Sequence, residues 1–292
     1  MNIVLKNRIN NFAKEVSKWL DNLVGIIASI LRIAVLSSLS VVFKPHYYKR
    51  LRKNATCILL GNGPSLKDAF QNGCLKNEKA DFFCVNCFCE SELFWIIKPS
   101  LYFLVDGGLF YPKNERAKKR VAGIINALSK VDWEITLAVP SYYTADHIIT
   151  QISNNNVSVV KFNTTKLSGF NWFKNLCYQF HLGMPVCTNV TVFAIMAAVW
   201  MGYDKVLLYG IELGMFTHLT VDQENVLCSE SSHVYEEEKM VCKRYGRSLA
   251  DELQGYVDCF NSHTEINRYA TMKGCRILNG TKGSFIDAYK KI

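Results

Sequence analysis

The chain has 292 residues, with 34 Lys and Arg against 25 Asp and Glu for a net charge of +9, and 49% of its residues are hydrophobic. That is enough apolar material for one large domain or one and a half ordinary ones, and it excludes a disordered or fibrous chain. The positive balance suits an anionic membrane surface or a nucleotide-bearing substrate, whereas no zinc finger, RNA-binding signature or long basic repeat supports nucleic acid.

Residues 1–53 stand apart. Ile3, Val4, Leu5, Ile9, Phe12, Val16, Trp19 and Leu20 recur at near-helical spacing, and Leu23 to Phe43 is apolar except for Ser29, Arg32 and the serines around Leu39. About 20 such residues suffice to cross a bilayer. Arg32 near the middle costs about 3 kcal/mol there. A basic cluster follows (Lys44, His46, Lys49, Arg50, Arg52, Lys53), with Tyr47 and Tyr48 inside it, as at a membrane interface. No small-residue cleavage site follows, which argues against a signal peptide. Three readings stay open: a helix in the membrane plane or re-entrant, held by the basic cluster; a true span; or a helix buried in the protein's own core or in a homo-oligomer interface. All three leave the rest of the chain in the cytoplasm.

Thr56-Cys57-Ile58-Leu59-Leu60 then runs straight into Gly61-Asn62-Gly63-Pro64-Ser65-Leu66. A continuous apolar run ending in Gly-x-Gly reads as a buried parallel strand entering a tight turn, where the glycines let a ligand approach the backbone. A helix over Leu66–Phe70 would direct its first free N–H groups at an anion such as phosphate. Next come a strand over Asp81–Phe88, a short helix over Glu90–Trp95 and a strand over Ser100–Asp106. Asn86 and Asp106 end these apolar runs, where ligands of open α/β sheets are held. Ala117–Leu128 is a basic helix beginning Lys118-Lys119-Arg120, and Glu134–Val139 and Val157–Phe162 are strands. Residues 163–185 read as an irregular aromatic lobe. Thr188 or Asn189 caps a helix over Val192–Met201, with Thr191 in its first turn. Asp204–Gly210 is a strand leading to Glu212. Residues 215–245 lack a hydrophobic period and read as a mobile loop. A helix over Leu249–Lys273, a strand over Cys275–Leu278 and a last helix close the chain. The alternation predicts an α/β fold with a doubly wound, mainly parallel sheet.

Eleven cysteines are scattered, mostly in apolar runs. Cys84-x-x-Cys87 has zinc or redox spacing but lacks a second pair, so reduced, buried thiols are the simpler reading.

These blocks together resemble the bacterial sialyltransferases of glycosyltransferase family 42. They are also similar to the nucleotide-binding domain shared by flagellin motility-associated-factor glycosyltransferases and hydroxymethylpterin diphosphokinase-like proteins. The likeness covers about residues 55–290. It is carried by Gly61-Asn62-Gly63-Pro64-Ser65-Leu66-Lys67, Cys84-Val85-Asn86-Cys87-Phe88, Asp106-Gly107-Gly108-Leu109-Phe110, Gly202-Tyr203-Asp204-Lys205-Val206-Leu207-Leu208-Tyr209-Gly210-Ile211-Glu212 and Ser232-His233-Val234-Tyr235. The resemblance implies a Rossmann-like domain over residues 54–292, with a mobile lid at about 213–245, behind a membrane-associated helical region, residues 1–53. It implies a sugar-nucleotide site formed by Gly61, Asn62, Gly63, Ser65, Asn86, Asp106, Thr188, Asn189, Thr191 and Glu212, with His233 as general base.

The chain departs from the family where the sialyltransferases carry an Arg before the cap and phosphate-supporting tyrosines after Gly-Ile-Asp. Here these stretches are Cys187-Thr188-Asn189-Val190 and Glu212–His218, which leaves His218, Lys243 and Arg244 as substitutes. No Asp-x-Asp occurs, so no metal or cofactor is expected, and a CMP-linked acidic sugar is favoured over a metal-bridged diphosphate donor. The expectation is an inverting glycosyltransferase at the cytoplasmic face of a bacterial inner membrane, acting on a glycan or glycolipid in surface glycan (lipopolysaccharide or capsule) synthesis. The alternatives are an ATP-dependent diphosphokinase-like enzyme and a non-enzymatic nucleotide-binding protein at the membrane.

Overall fold

The structure, a computed structural model, describes residues 3–42, 45–75, 79–143, 146–231 and 240–292, with side chains placed for all of these except residues 3–5, 45–47, 146–147, 230–231 and 240–242. An eight-stranded sheet forms the centre. Its strands are β1 (Thr56–Leu60), β2 (Ala80–Val85), β3 (Leu101–Phe103), β4 (Ile135–Pro140), β5 (Val157–Phe162) and β6 (Lys205–Tyr209). A separate three-stranded sheet holds β7 (Leu219–Val221), β8 (Leu227–Ser231) and β9 (Met240–Arg244), and the chain then returns to the main sheet with β10 (Arg276–Asn279) and β11 (Lys290–Lys291). The main sheet has the order β11-β10-β6-β1-β2-β3-β4-β5, and every pairing in it is parallel.

A parallel sheet is buried on both faces, which is why its strands are continuous apolar runs. Cys57 and Leu59 face one core while Ile58 and Leu60 face the other. The helices are α1 (Ile3–Leu36), α2 (Leu39–Val42), α3 (Pro45–Arg50), α4 (Ser65–Gln71), α5 (Glu92–Ile97), α6 (Gly107–Phe110), α7 (Glu115–Lys130), α8 (Asp146–Ile149), α9 (Asn171–Gln179), α10 (Val190–Met201) and α11 (Leu249–Met272). All twelve residues of α10 are buried, wedged between the sheet and α11 and ended by Gly202 at φ 81°. Buried α4 and α7 residues cover the opposite face.

Four expectations change. The strand predicted over Asp81–Phe88 stops at Val85, because Asn86 adopts a left-handed conformation (φ 47°) and starts a 3-10 turn. The aromatic lobe is ordered around α9, and a bridge between Lys166 and Met184 closes it. The predicted loop at 215–245 contains an antiparallel meander, β7-β8-β9. Its inward residues include Ser229 beside Leu227 and Cys228, and that mixture hides the period-two pattern. The predicted last helix is absent: Lys290 and Lys291 instead pair with Leu278 and Asn279 at the sheet edge.

Helix α1 is neither swallowed by the core nor free of it. Ser29 is buried, and its Oγ donates to the carbonyls of Gly25 (2.7 Å) and Ser168 (3.0 Å) and accepts from Ser168 N–H (2.8 Å). Just past the helix end, Ser37 Oγ donates to the Leu182 carbonyl at 2.6 Å and Ser38 N–H donates to Asn163 Oδ1 at 2.8 Å.

Candidate functional site

Chain direction across the sheet reverses between β1 and β6, so the crevice for a ligand lies beyond their carboxyl ends. Both loops there are locked together. Gly61 N–H donates to the Tyr209 carbonyl at 2.8 Å and Gly63 N–H to the Gly210 carbonyl at 2.9 Å. Neither glycine is replaceable at this separation. A Cβ on Gly61 would fall 2.2 Å from the Gly210 oxygen, and one on Gly63 would fall 1.4 Å from Glu212 Oε2.

Glu212 corrects one expectation. The Ser65 N–H that begins α4 donates to Glu212 Oε1 at 2.9 Å, so the first amide of that seven-residue helix is not free for phosphate. A carboxylate there also opposes an anion. The Ser65 hydroxyl oxygen, by contrast, is buried without a partner among the described residues.

Asn62, Asn86 and Asp106 come together in one cleft of about 330 Å³, which Asn114, Arg116 and Arg120 also line. Asn62 reaches it from the first loop, where its Nδ2 donates to the Val85 carbonyl at 3.2 Å. Asn86 stands at the end of β2, and its main-chain carbonyl accepts from the Tyr102 hydroxyl. The Oδ1 atoms of both asparagines are buried and unpaired among the described residues. Buried polar atoms ordinarily have a partner, so two such oxygens on residues that line one cleft make it the candidate ligand position. Asp106 caps α6, accepting from Gly108 N–H at 2.8 Å. Asn114 caps α7, accepting from Ala117 N–H at 2.8 Å.

Sequence reasoning missed Asn114 and Arg116 and treated Arg120 only as part of a basic helix. The available signal was the i, i+4 spacing of the two arginines in the opening turns of α7, which puts both on one face. Two guanidinium groups and the positive end of a sixteen-residue helix favour an anion here. Tyr111, Tyr142 and Tyr143 gather beside this wall. Tyr143 stacks on Phe110 at 4.4 Å, and burial, reinforced by Tyr142, pushes its phenol up to about 12.

The Thr188–Thr191 segment does not line the cleft. Asn189 caps α10, its side chain accepting from Thr191 N–H at 2.8 Å, and Thr191 Oγ1 is buried and unpaired among the described residues. Thr188 N–H turns back onto the Val186 carbonyl at 3.1 Å. His233 and Ser232 lie outside the described residues. Lys243 and Arg244 are held by the meander. Lys243 pairs with Asp222 at 2.8 Å, and Arg244 pairs with Glu252 at 3.3 Å while also reaching Ser229 Oγ at 3.1 Å. Asp222 raises the Lys243 ammonium pKa above its ordinary value.

The cysteine cluster is buried. Burial raises the Cys84 thiol pKa, carries Cys87 to about 12 with Glu90 adding and Arg120 opposing, and takes Cys89 to about 11. Such thiols are poor ligands and nucleophiles.

No protein-family model matches the chain, and no curated protein is similar enough in sequence to count as a relative. Solved structures do resemble it. The MAf glycosyltransferase from Magnetospirillum magneticum AMB-1 superposes with a TM-score of 0.50 and 12% identity, over 86% of this chain and 38% of that one. The sialyltransferase CstII from Campylobacter jejuni, in complex with the substrate analogue cytidine-5'-monophosphate, superposes with a TM-score of 0.43 and 16% identity, over 81% of this chain and 84% of that one. The chain thus spans well under half of the first of these. At 12% identity the likeness establishes a shared fold, the Rossmann-like α/β arrangement that the sequence predicts.

Proposed function

We propose that the chain is a glycosyltransferase whose donor, a nucleotide-activated sugar, sits beyond the carboxyl ends of β1, β2 and β6. The observation that carries this reading is the pair of buried, unpaired oxygens on Asn62 and Asn86, two cleft-lining residues from the motifs predicted to meet a nucleotide. Asn62 and Asn86 orient the nucleotide, Arg116 and Arg120 balance its phosphate, and Glu212 or Asp106 accepts from sugar hydroxyls. A CMP-linked acidic sugar fits best, since one phosphate needs less neutralisation than two and the sequence offers no Asp-x-Asp pair for a bridging cation.

Transfer proceeds by in-line displacement. An acceptor hydroxyl oxygen bonds to the anomeric carbon as the bond from that carbon to the phosphate oxygen breaks, which inverts the centre. The nucleoside monophosphate leaves with the bonding pair, and the acceptor proton passes to His233, whose ordinary pKa near neutrality suits a general base. The acceptor is a glycan or glycolipid at the cytoplasmic face of a bacterial inner membrane, consistent with the long apolar α1.

The test is a panel of CMP-, UDP- and GDP-sugars and ATP, each with and without EDTA, read by thermal shift and donor hydrolysis. CMP-sugar stabilisation and turnover are expected, weakened by Asn86→Gly and lost in His233→Ala. Stabilisation by ATP with magnesium alone would overturn the reading in favour of a diphosphokinase-like enzyme.

A further inference from the structure

Positive charge is very unevenly spread. Residues 1–53 carry ten basic and two acidic side chains, so nearly the whole net charge of +9 resides there. The same region exposes its apolar side chains. At 34 residues α1 is about 50 Å long. One stripe of it (Gly25, Ser29, Ile33) docks on the body, while Phe12, Val24, Leu31 and Val35 face outward, Phe12 and Val35 at 72% and 81% exposure.

The docked stripe is built for contact. Gly25 and Gly169 meet so closely that a Cβ on Gly25 would lie 2.8 Å from Gly169 N. Ser29 is bonded to Ser168, and the ring of Trp19 meets Phe170 edge-on at 6.3 Å. Pulling α1 away to cross a bilayer would strand these polar groups, whereas lying flat keeps them all.

The segment that receives α1 runs directly into α9, and α9 exposes a second apolar stripe. Trp172, Leu176 and Phe180 are 65%, 49% and 51% exposed at i, i+4 and i+8, while Phe173, Cys177 and Tyr178 on its other side are buried. The run from Asn163 to Thr191 therefore carries this stripe near its middle and the α10 cap at its end.

We propose that α1 and α9 together form a single in-plane docking face for an anionic lipid bilayer. Trp172, Leu176 and Phe180 enter the acyl boundary beside the outer stripe of α1, and the exposed Lys6, Arg8, Lys14 and Lys18 of α1 meet the lipid phosphates, whereas Arg52 and Lys53 are held by Asp204 and Glu134. The occupant is a bilayer because charge and apolarity coincide: a basic amphipathic face pairs with an anionic, apolar-cored surface. The proposal rests on the membrane association given above, and not on the chemistry of transfer.

The full chain is floated with phosphatidylcholine vesicles and with vesicles that also contain phosphatidylglycerol, without any donor. Binding is expected only, or far more strongly, with phosphatidylglycerol. Val24→Glu/Leu31→Glu and Trp172→Glu/Leu176→Glu should each weaken it by about tenfold or more. Lipids brominated near the headgroup should quench a tryptophan signal that Trp172→Phe removes. If only the α1 pair matters and Trp172 is not quenched, the α9 face is overturned while membrane association stands. If no vesicle binds, both fall. If ultracentrifugation shows the Trp172→Glu/Leu176→Glu variant converting a dimer to a monomer with vesicle binding unchanged, a second copy covers the face and the proposal fails. Circular dichroism of each variant, matched to the parent, keeps misfolding from standing in for lost binding.

Discussion

The carboxylate of Glu212, just past β6, accepts the backbone N–H of Ser65, at the start of α4, over 2.9 Å. It joins the two loops that flank the sheet's switch point. It also occupies a helix start that would otherwise attract an anion, so the phosphate-favouring surface moves to the α7 side of the cleft.

Glu212→Gln retains an acceptor for Ser65, whereas Glu212→Ala leaves the amide unpaired. Urea denaturation should find the glutamine variant near the parent and the alanine variant about 1 kcal/mol less stable. Equal losses would mean that the contact is held by charge and not by the hydrogen bond.

Asn86 separates backbone from side-chain effects. Its φ of 47° suits glycine, so Asn86→Gly keeps the turn while removing the side chain that carries the buried Oδ1. That variant should unfold within about 1 kcal/mol of the parent but bind nucleotide donor about tenfold more weakly by calorimetry. Asn86→Ala should lose both, from strain of about 1 kcal/mol or more at a left-handed residue. Unchanged donor affinity in Asn86→Gly would remove this residue from the site.

Arg116 and Arg120 offer a salt-sensitive handle. Arg120→Gln should raise the donor KM about tenfold with less effect on kcat, and the difference from the parent should shrink at high ionic strength. A kcat loss with KM unchanged would place Arg120 elsewhere in the mechanism.

His181 and His263 are buried, and burial holds each at about 4 against an ordinary 6.5, with Lys273 and Lys49 adding to the effect on His181. The unfolded chain therefore takes up protons near pH 6.5 that the native state refuses until about pH 4. The stability is complete above 6.5 and is lost as pH falls toward 4, about 2 kcal/mol per histidine by pH 5. Thermal unfolding at pH 7 and pH 5 should show a clear drop, partly relieved in His263→Gln. A flat profile would contradict this.

Asn163 pins α1 to the body. Its buried amide receives Ser38 N–H at 2.8 Å and Ser141 Oγ at 2.6 Å, and donates to the carbonyls of Ser38 at 3.1 Å and His181 at 2.9 Å. Asn163→Leu should cost about 3 kcal/mol or more and make residues 37–53 much more sensitive to limited proteolysis. Unchanged cleavage would mean that Ser29 and Ser37 hold the helix alone.

The buried strands were legible because both faces of a parallel sheet demand apolar residues, as in Thr56–Leu60 and Ile135–Pro140. The α10 cap at Asn189 was legible from side-chain chemistry. The meander was not, because Ser229 replaces an apolar inward residue, nor was the edge strand Lys290–Lys291, which is two residues of pure lysine. Of the cleft, Asn62, Asn86 and Asp106 could be named in advance, since they end apolar runs. Arg116 was reachable only through its i, i+4 spacing with Arg120, since nothing else local distinguishes it from its neighbours Lys118 and Lys119.

Sequence alone determined the alternation of strand and helix, the sites of the tight glycine turns, and the presence of a long apolar, basic N-terminal region. These follow from periodicity, side-chain volume and charge, which act over a few residues. Only the tertiary structure decided that Glu212 caps Ser65, that the asparagines share a cleft with Arg116 and Arg120, and that α1 docks on the segment leading into α9. Each of those joins residues tens of positions or more apart, and the strand order that brings them together is set by how the two cores pack.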